Sequence, residues 1–241
     1  MRKREMVKKY LAVIPARGGS KRLPGKNLMS IGGHSLIGCA IECAKSAEHI
    51  TEICVTTDDQ DIANEALKYG PYVHFMRPDF LASDEARTID VVLHAVQWFS
   101  NQGKDFDAVV VLQPTSPLRS QENILKAIQL FEQKDAQAVV SVCRLEHPME
   151  WCAELGIDGN MEEFGKTCGA LNRSQDTAVT YRLNGAIYIY DLSKLIEVGG
   201  FFYNKKTFAY EMNAKESIDI DTYEDFLLAR FWDEVIENGI R

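Results

Sequence analysis

Short apolar runs alternate with amphipathic stretches through most of this 241-residue chain. That alternation marks a mostly parallel sheet with helices on both faces, and it predicts an α/β fold. Strands are expected at Tyr10–Pro15, Ile53–Thr57, Tyr72–Phe75, Ala108–Leu112, Ala138–Cys143 and Ala186–Tyr190, where Val, Ile and Tyr are dense enough for strands covered on two faces. Helices are expected over Ser35–Ala47, Asp59–Tyr69, Arg87–Asn101, Gln121–Lys134 and Thr222–Asn238. The last opens on "DTYED" (Asp221–Asp225), where a threonine and an acid three residues on can satisfy free amides. Residues Arg144–Arg182 have weak periodicity and read as an insertion with its own role, since a structureless loop that long is uncommon. "VGGFFYNKKTFAYEM" breaks the pattern on a smaller scale. A single domain spanning 1–241 accommodates all of this, and a chain this long buries about three quarters of its unfolded surface without staples.

The net charge of −8, with no basic stripe, argues against nucleic acid as a partner. No apolar run approaches the roughly 18 residues of a membrane-spanning helix. The opening "MRKREMVKKY" reads as a solvated basic tail, with nuclear targeting as the rival; the apolar stretch after it is too short for a signal-peptide core. None of the six cysteines forms a C-x-x-C pair, which points to free thiols in a reducing, cytoplasmic setting rather than to zinc or disulfides. The five histidines are scattered, and none suggests a metal or catalytic cluster.

Against that acidic background, "LAVIPARGGSKRLPGKNL" (Leu11–Leu28) concentrates Arg17, Lys21, Arg22 and Lys26 around paired glycines immediately after a strand. Glycine lets successive amides turn into a concavity, and such a nest ringed by cations binds anions. The spacing is not that of a Walker loop, because five residues separate Gly19 from Gly25 and Asn27 follows Lys26; nor is a G-x-G-x-x-G fingerprint present. A plain surface turn with solvated cations is the alternative.

The run "IPARGGSKRLPGKN" resembles the opening motif of the acylneuraminate cytidylyltransferases, the CMP-N-acetylneuraminic acid synthetases. "RPDFLASD" (Arg77–Asp84), "LQPTSPLR" (Leu112–Arg119), "NGAIYIY" (Asn184–Tyr190) and "IDIDTYEDF" (Ile218–Phe226) are similar to further family motifs and occur in family order. The resemblance implies a Rossmann-like nucleotidyltransferase sheet, with 144–182 as a dimerisation or substrate-covering insertion of a homodimer. It implies CTP and a nine-carbon 2-keto-3-deoxy sugar acid as substrates, N-acetylneuraminate first, giving the CMP-sugar and pyrophosphate. Legionaminate, pseudaminate and, less well, KDO are alternative acceptors; a non-catalytic nucleotide-binding regulator is the alternative outside catalysis.

By the same resemblance, Ala16, Arg17, Asn27, Arg77, Ala82, Ser83 and Gln113 line the nucleotide pocket. Gln113, Thr115, Arg173, Phe201 and Phe202 face the sugar acid, with Arg173 set close before Gln175-Asp176 and able to act on a neighbouring subunit. Arg17, Lys21 and Lys26 cover the triphosphate. The residue chemistry agrees: a guanidinium at Arg77 can donate to O2 and N3 of cytosine, although pairing with Asp79 or Asp84 is a structural alternative. Asp219 and Asp221 lie two apart in an extended stretch and so can reach one Mg²⁺, with Asp221 also placed to orient a bound water. The rival reading makes Asp221 a helix-end residue. Phe201 and Phe202 divide between a wall for the N-acyl group and an interface core. "TTDDQDI" (Thr56–Ile62) reads mainly as helix capping.

Overall fold

A computed structural model describes residues 8–167 and 178–237. Among the described residues, eight strands and seven α-helices follow in chain order: β1 Tyr10–Pro15, β2 Ser30–Ile31, β3 His34–Ser35, α1 Leu36–Ser46, β4 Ile50–Thr56, α2 Gln60–Leu67, α3 Thr88–Asn101, β5 Ala108–Val111, α4 Gln121–Gln133, β6 Ala138–Arg144, α5 Glu162–Thr167, β7 Tyr181–Asp191, α6 Leu192–Val198, β8 Thr207–Glu211 and α7 Tyr223–Glu237.

Six strands form one sheet in the order β4-β1-β5-β7-β6-β8, and β2 with β3 makes a separate two-stranded ribbon. Strand β1 pairs in parallel with β4 (Val13 opposite Cys54) and with β5 (Val13 opposite Val111). Strand β7 runs the other way, antiparallel to both β5 and β6, while β8 again lies parallel to β6. The pleat sends alternate residues of β1 to opposite faces. Tyr10, Ala12 and Ile14 join Ile37, Ile41, Ile124 and Phe131 of α1 and α4 in one core; Leu11 and Val13 join Val92, Ala95 and Phe99 of α3 in another. Helices on both faces follow from that division.

A third cluster unites Ile31, Leu36, Leu118, Ile218, Ile220 and Phe226. Burying a side chain such as Ile220 or Phe226 contributes about 1.5–3 kcal/mol, so this cluster is what returns the chain's last extended stretch to the loop after β1. Helix α7 begins as its sequence implies. The Asp225 carboxylate accepts from the Asp221 and Thr222 amides, and the Thr222 hydroxyl accepts from the Asp225 amide at 3.2 Å. Asp225 and Thr222 do the capping, and the Asp221 carboxylate pairs with Arg22 and Lys26 instead.

One expectation needs correction, and further stretches gain elements that the sequence pattern does not assign. Tyr72–Phe75 forms no strand: beside the edge strand β4 it makes one backbone bond, from the Val55 amide to the Tyr72 carbonyl, and an isolated bridge pairs Thr57 with Met76. Pro71 and Pro78 bracket the stretch and remove ladder donors. "VGGFFYNKKTFAYEM" contains the edge strand β8, and Asp191–Gly199 contains the short helix α6, which Asp191 caps and Gly199 ends at φ +64°. Within the expected insertion the described residues hold a 3₁₀ turn at Met149–Trp151 and α5; Arg173 lies outside the described residues. No described helix is long and apolar enough to cross a membrane.

Candidate active site

The carboxyl ends of β1 and β5 open onto one cleft of about 590 Å³, the position where open parallel sheets bind ligands. The loop after β1 forms one wall. Its Gly18 amide donates to Asp58 Oδ1 at 3.2 Å, and a Cβ at Gly18 would sit 2.4 Å from Asp59 Oδ2, so only glycine lets the loop come this close to the capped start of α2. The buried Asn27 donates from Nδ2 to the Arg17 carbonyl at 3.0 Å and closes the loop on itself. That bond uses one of the two Nδ2 hydrogens, and Asn27 lines the cleft.

The loop's four cations share two carboxylates. Arg17 and Lys21 meet Asp84 at 3.0 and 2.5 Å; Arg22 and Lys26 meet Asp221 at 2.9 and 3.0 Å. Lys26 also donates to the Ile220 carbonyl at 2.8 Å, joining residues nearly two hundred positions apart. The Lys21 ammonium, with Arg17 behind it, holds the Asp84 carboxyl below the usual range. The first loop and the acidic motif thus converge, as the chemistry assigned to them demands.

Arg77 forms the floor, 5% exposed. Its Nε donates to Thr56 Oγ1 at 3.2 Å and its Nη2 to the Thr56 carbonyl, so neither Asp79 nor Asp84 is its partner. Burial pushes the guanidinium down to about 10, with nearby Asp58 opposing the shift. Ser83 lines the cleft, whereas Ala16 and Ala82 flank it without lining it; Ala16 is buried and its amide donates to the Thr56 carbonyl at 3.0 Å.

Gln113, Pro114 and Thr115 form the far wall. The Thr115 carbonyl accepts from the Ile220 amide at 2.8 Å, tying this loop to the acidic motif. Opposite stands a bulge in β7 at Gly185, whose φ of +74° favours glycine. A Cβ there would lie 3.5 Å from Gln113 Oε1 and 3.7 Å from Asp219 Oδ2, so those two side chains meet at the bulge. A buried network supports it: Ser141 Oγ donates to Asn184 Oδ1 at 2.6 Å, and Asn184 Nδ2 donates to Ser217 Oγ at 2.9 Å. Arg119, 4% exposed, clamps the Gln113 and Ala186 carbonyls at 3.2 and 2.8 Å.

Asp219 Oδ1 is buried without a hydrogen-bond partner, and so is Thr115 Oγ1. Burial raises the Asp219 carboxyl above the usual range; the neighbouring Thr115 hydroxyl opposes the rise although it forms no well-aligned bond, and Asp221 adds to it. An orphaned carboxylate oxygen beside a second carboxylate suits a hard cation. Mg²⁺ keeps several waters and takes one or two carboxylates plus substrate phosphates. Among the described residues no group of three metal-type side chains gathers, so its other ligands would come from water and substrate.

Phe201 and Phe202 do not line this cleft; they pack in the second core, where Phe201 stacks on Tyr188 and Tyr190 at 5.7 and 5.1 Å. Tyr188, not singled out from the sequence, links the two regions: it stacks on Phe201, and burial pushes its phenol up to about 12, with Tyr203 and Asp219 adding to the rise. Thr56, Asp58 and Arg119 were likewise missed as site residues. Each sits in a motif whose caps and turns account for it without reference to a ligand.

The family model described as cytidylyltransferase matches residues 11–235. A CMP-N,N'-diacetyllegionaminic acid synthase of Legionella pneumophila is 38% identical over 91% of this chain and 94% of its own length. An N-acylneuraminate cytidylyltransferase of Escherichia coli is 33% identical over 92% of this chain, which spans about half (51%) of that relative. A pseudaminic acid cytidylyltransferase of Campylobacter jejuni is 31% identical over 92% of this chain and 95% of its own. Among solved structures, a CMP:2-keto-3-deoxy-manno-octonic acid synthetase complexed with CTP superposes with a TM-score of 0.70, covering 97% of this chain and 100% of that one at 18% identity, which speaks to the fold. With a family match over nearly its whole length and relatives above 30% identity, the chain belongs to the cytidylyltransferase family.

Proposed function

We propose that this enzyme transfers the cytidylyl group of CTP to a nine-carbon 2-keto sugar acid and releases pyrophosphate. One observation carries the reading: four loop cations meet Asp84 and Asp221, brought from distant parts of the chain, in a single cleft at the carboxyl edge of the sheet. Such a transfer asks for alignment and charge balance rather than a covalent enzyme intermediate.

Asp84 and Asp221 take the places against Arg17, Lys21, Arg22 and Lys26 that phosphate oxygens would fill. Entry of a triphosphate exchanges those partners. Asp221 is then released toward Asp219 and toward the attacking hydroxyl, whose proton it can hold through a hydrogen bond at its carboxylate. Asp219 and Asp221 would together hold Mg²⁺, which when bound offsets phosphate charge and acidifies coordinated water. Arg77 donates to the base, and Gln113, fixed beside the Gly185 bulge, reaches the reacting end. No histidine is among the cleft-lining residues, so the proton falls to these carboxylates.

N-acetylneuraminate is the first acceptor to test, and N,N'-diacetyllegionaminate stands beside it because a relative of that name is 38% identical. The exposed Leu155, Ile157 and Met161 support packing of the inserted segment on a second copy of the chain. Pyrophosphate release from CTP, measured with N-acetylneuraminate, legionaminate, pseudaminate and KDO, tests the assignment. Release with none of them, despite CTP binding, would favour the regulator.

A further inference from the structure

The stretch "TTDDQDI" does more than start α2. Its Asp59 accounts for the cap, accepting from the Asp61 and Ile62 amides at 2.8 and 3.0 Å. Thr56 and Thr57 precede the cap and are both fully buried; the Thr57 hydroxyl supports the cap by accepting from the Asp59 amide at 3.2 Å, whereas the Thr56 hydroxyl makes no bond to it. Both residues also meet Arg77. The Arg77 amide donates to the Thr57 carbonyl at 2.7 Å, its Nη2 to the Thr56 carbonyl, and its Nε to the Thr56 hydroxyl at 3.2 Å.

Two of the three guanidinium nitrogens are thereby fixed by one residue at the end of β4. No carboxylate lies within ion-pair distance of Arg77 among the described residues, although this cation is almost wholly enclosed. A structural arginine in such a place ordinarily has a carboxylate partner. Here the neutral oxygens of Thr56 orient the guanidinium without neutralising it, and Nη1 is left to the cleft that Arg77 lines.

We infer that Thr56 is the positioning residue for nucleobase selection: its hydroxyl locks the Arg77 plane so that the free nitrogen donates only to a base carrying adjacent acceptors. Cytosine offers acceptors at O2 and N3, whereas uracil carries a hydrogen on N3 that a fixed donor opposes. Discrimination of this kind depends on a rigid donor, since a rotating one accommodates either base. The inference rests on the cytidylyl-transfer reading and adds to it a residue that touches no substrate.

The test is Thr56→Val, which keeps the shape and removes only the oxygen, with Thr56→Ser as the conservative restoration. Calorimetry on the full chain would compare CTP, UTP and inorganic tripolyphosphate, with circular dichroism and melting to verify folding. The expected result is a fall of about tenfold in the CTP-over-UTP affinity ratio, tripolyphosphate affinity within twofold of the parent, and recovery of the ratio in Thr56→Ser. A ratio unchanged in folded Thr56→Val overturns the inference, as does equal weakening of all three ligands. Should the valine variant not fold, Thr56→Cys replaces it, with the same outcomes decisive. A parent protein that binds tripolyphosphate but shows no preference for CTP overturns the cytidine reading itself, a result distinct from any behaviour of the variants.

Discussion

Replacing Lys26 with methionine separates what this side chain does for the fold from what it does for phosphate. Lys26 is 13% exposed at its side chain and bonds the Asp221 carboxylate and the Ile220 carbonyl. A charged hydrogen bond contributes about 1.5–3 kcal/mol when its partner is left buried. Asp221 is 32% exposed and keeps Arg22, so the loss in the free protein belongs below that range, at about 1–2 kcal/mol. For a chain of this size that lowers Tm by roughly 2–8 °C. In the transition state the same ammonium faces phosphate charge inside a cleft, where one fixed donor is worth about 2.7–4 kcal/mol, or a factor of about 10²–10³. Lys26→Met should therefore melt slightly earlier and lose about 10²–10³ in kcat/KM for CTP, read by pyrophosphate release. Arg22→Met is the control: its side chain is 71% exposed, so water already screens it and it should lose less than about tenfold. A Lys26→Met enzyme within fivefold of the parent, or an Arg22→Met enzyme as impaired as Lys26→Met, refutes the reasoning.

Three other outcomes are expected. Burial raises the Asp219 carboxyl, so its contribution to stability is intact below the ordinary aspartate range and is lost as pH rises through the raised value; Asp219→Asn should melt higher than the parent at neutral pH in metal-free buffer, melt alike in acid, and turn over poorly, with an unchanged neutral Tm counting against it. Asp221→Asn should abolish the response of pyrophosphate release to added Mg²⁺ or remove most activity, and parent-like kinetics across the titration would take Asp221 out of the site. Gly185→Ala should cost about 1–2 kcal/mol through its φ of +74° and reduce kcat more than CTP affinity, because the bulge meets Gln113 and Asp219 while the loop cations bind elsewhere; equal losses in both would leave only a folding role.

The parts legible in the sequence are those governed by local chemistry. "YLAVIP" is a wholly apolar run that reads as a doubly covered strand, and β1 has the bounds expected of it. The loop cations and paired aspartates declared themselves by concentration and spacing. What escaped depends on partners far along the chain. Strand β8 alternates too weakly to be recognised until β6 supplies its register, and the reversal of β7 has no local signature at all. For Arg77 the sequence offers, beside the nucleotide pocket, an ion pair with nearby Asp79 or Asp84, yet its partners are oxygens of Thr56, brought close by the bridge between Thr57 and Met76 and the Arg77 amide bond to the Thr57 carbonyl. Phe201 and Phe202 illustrate the converse: an aromatic pair reads equally well as a ligand wall or as an interface core, and its partly buried packing on Tyr188 and Tyr190 is common to both.

The reversed strand has a consequence for how such a molecule can change. Strand β6 ends at Arg144 on the rim that bears the cleft, and β7, paired with it there through Tyr181, sets out from the same rim. Chain added between them leaves and re-enters the scaffold at one place, so lengthening or recasting it disturbs no crossover. The half that carries the first loop and Arg77 is woven from parallel strands whose connecting helices fill both layers. That single excursion can therefore be rewritten while the parallel half and its cleft stay fixed.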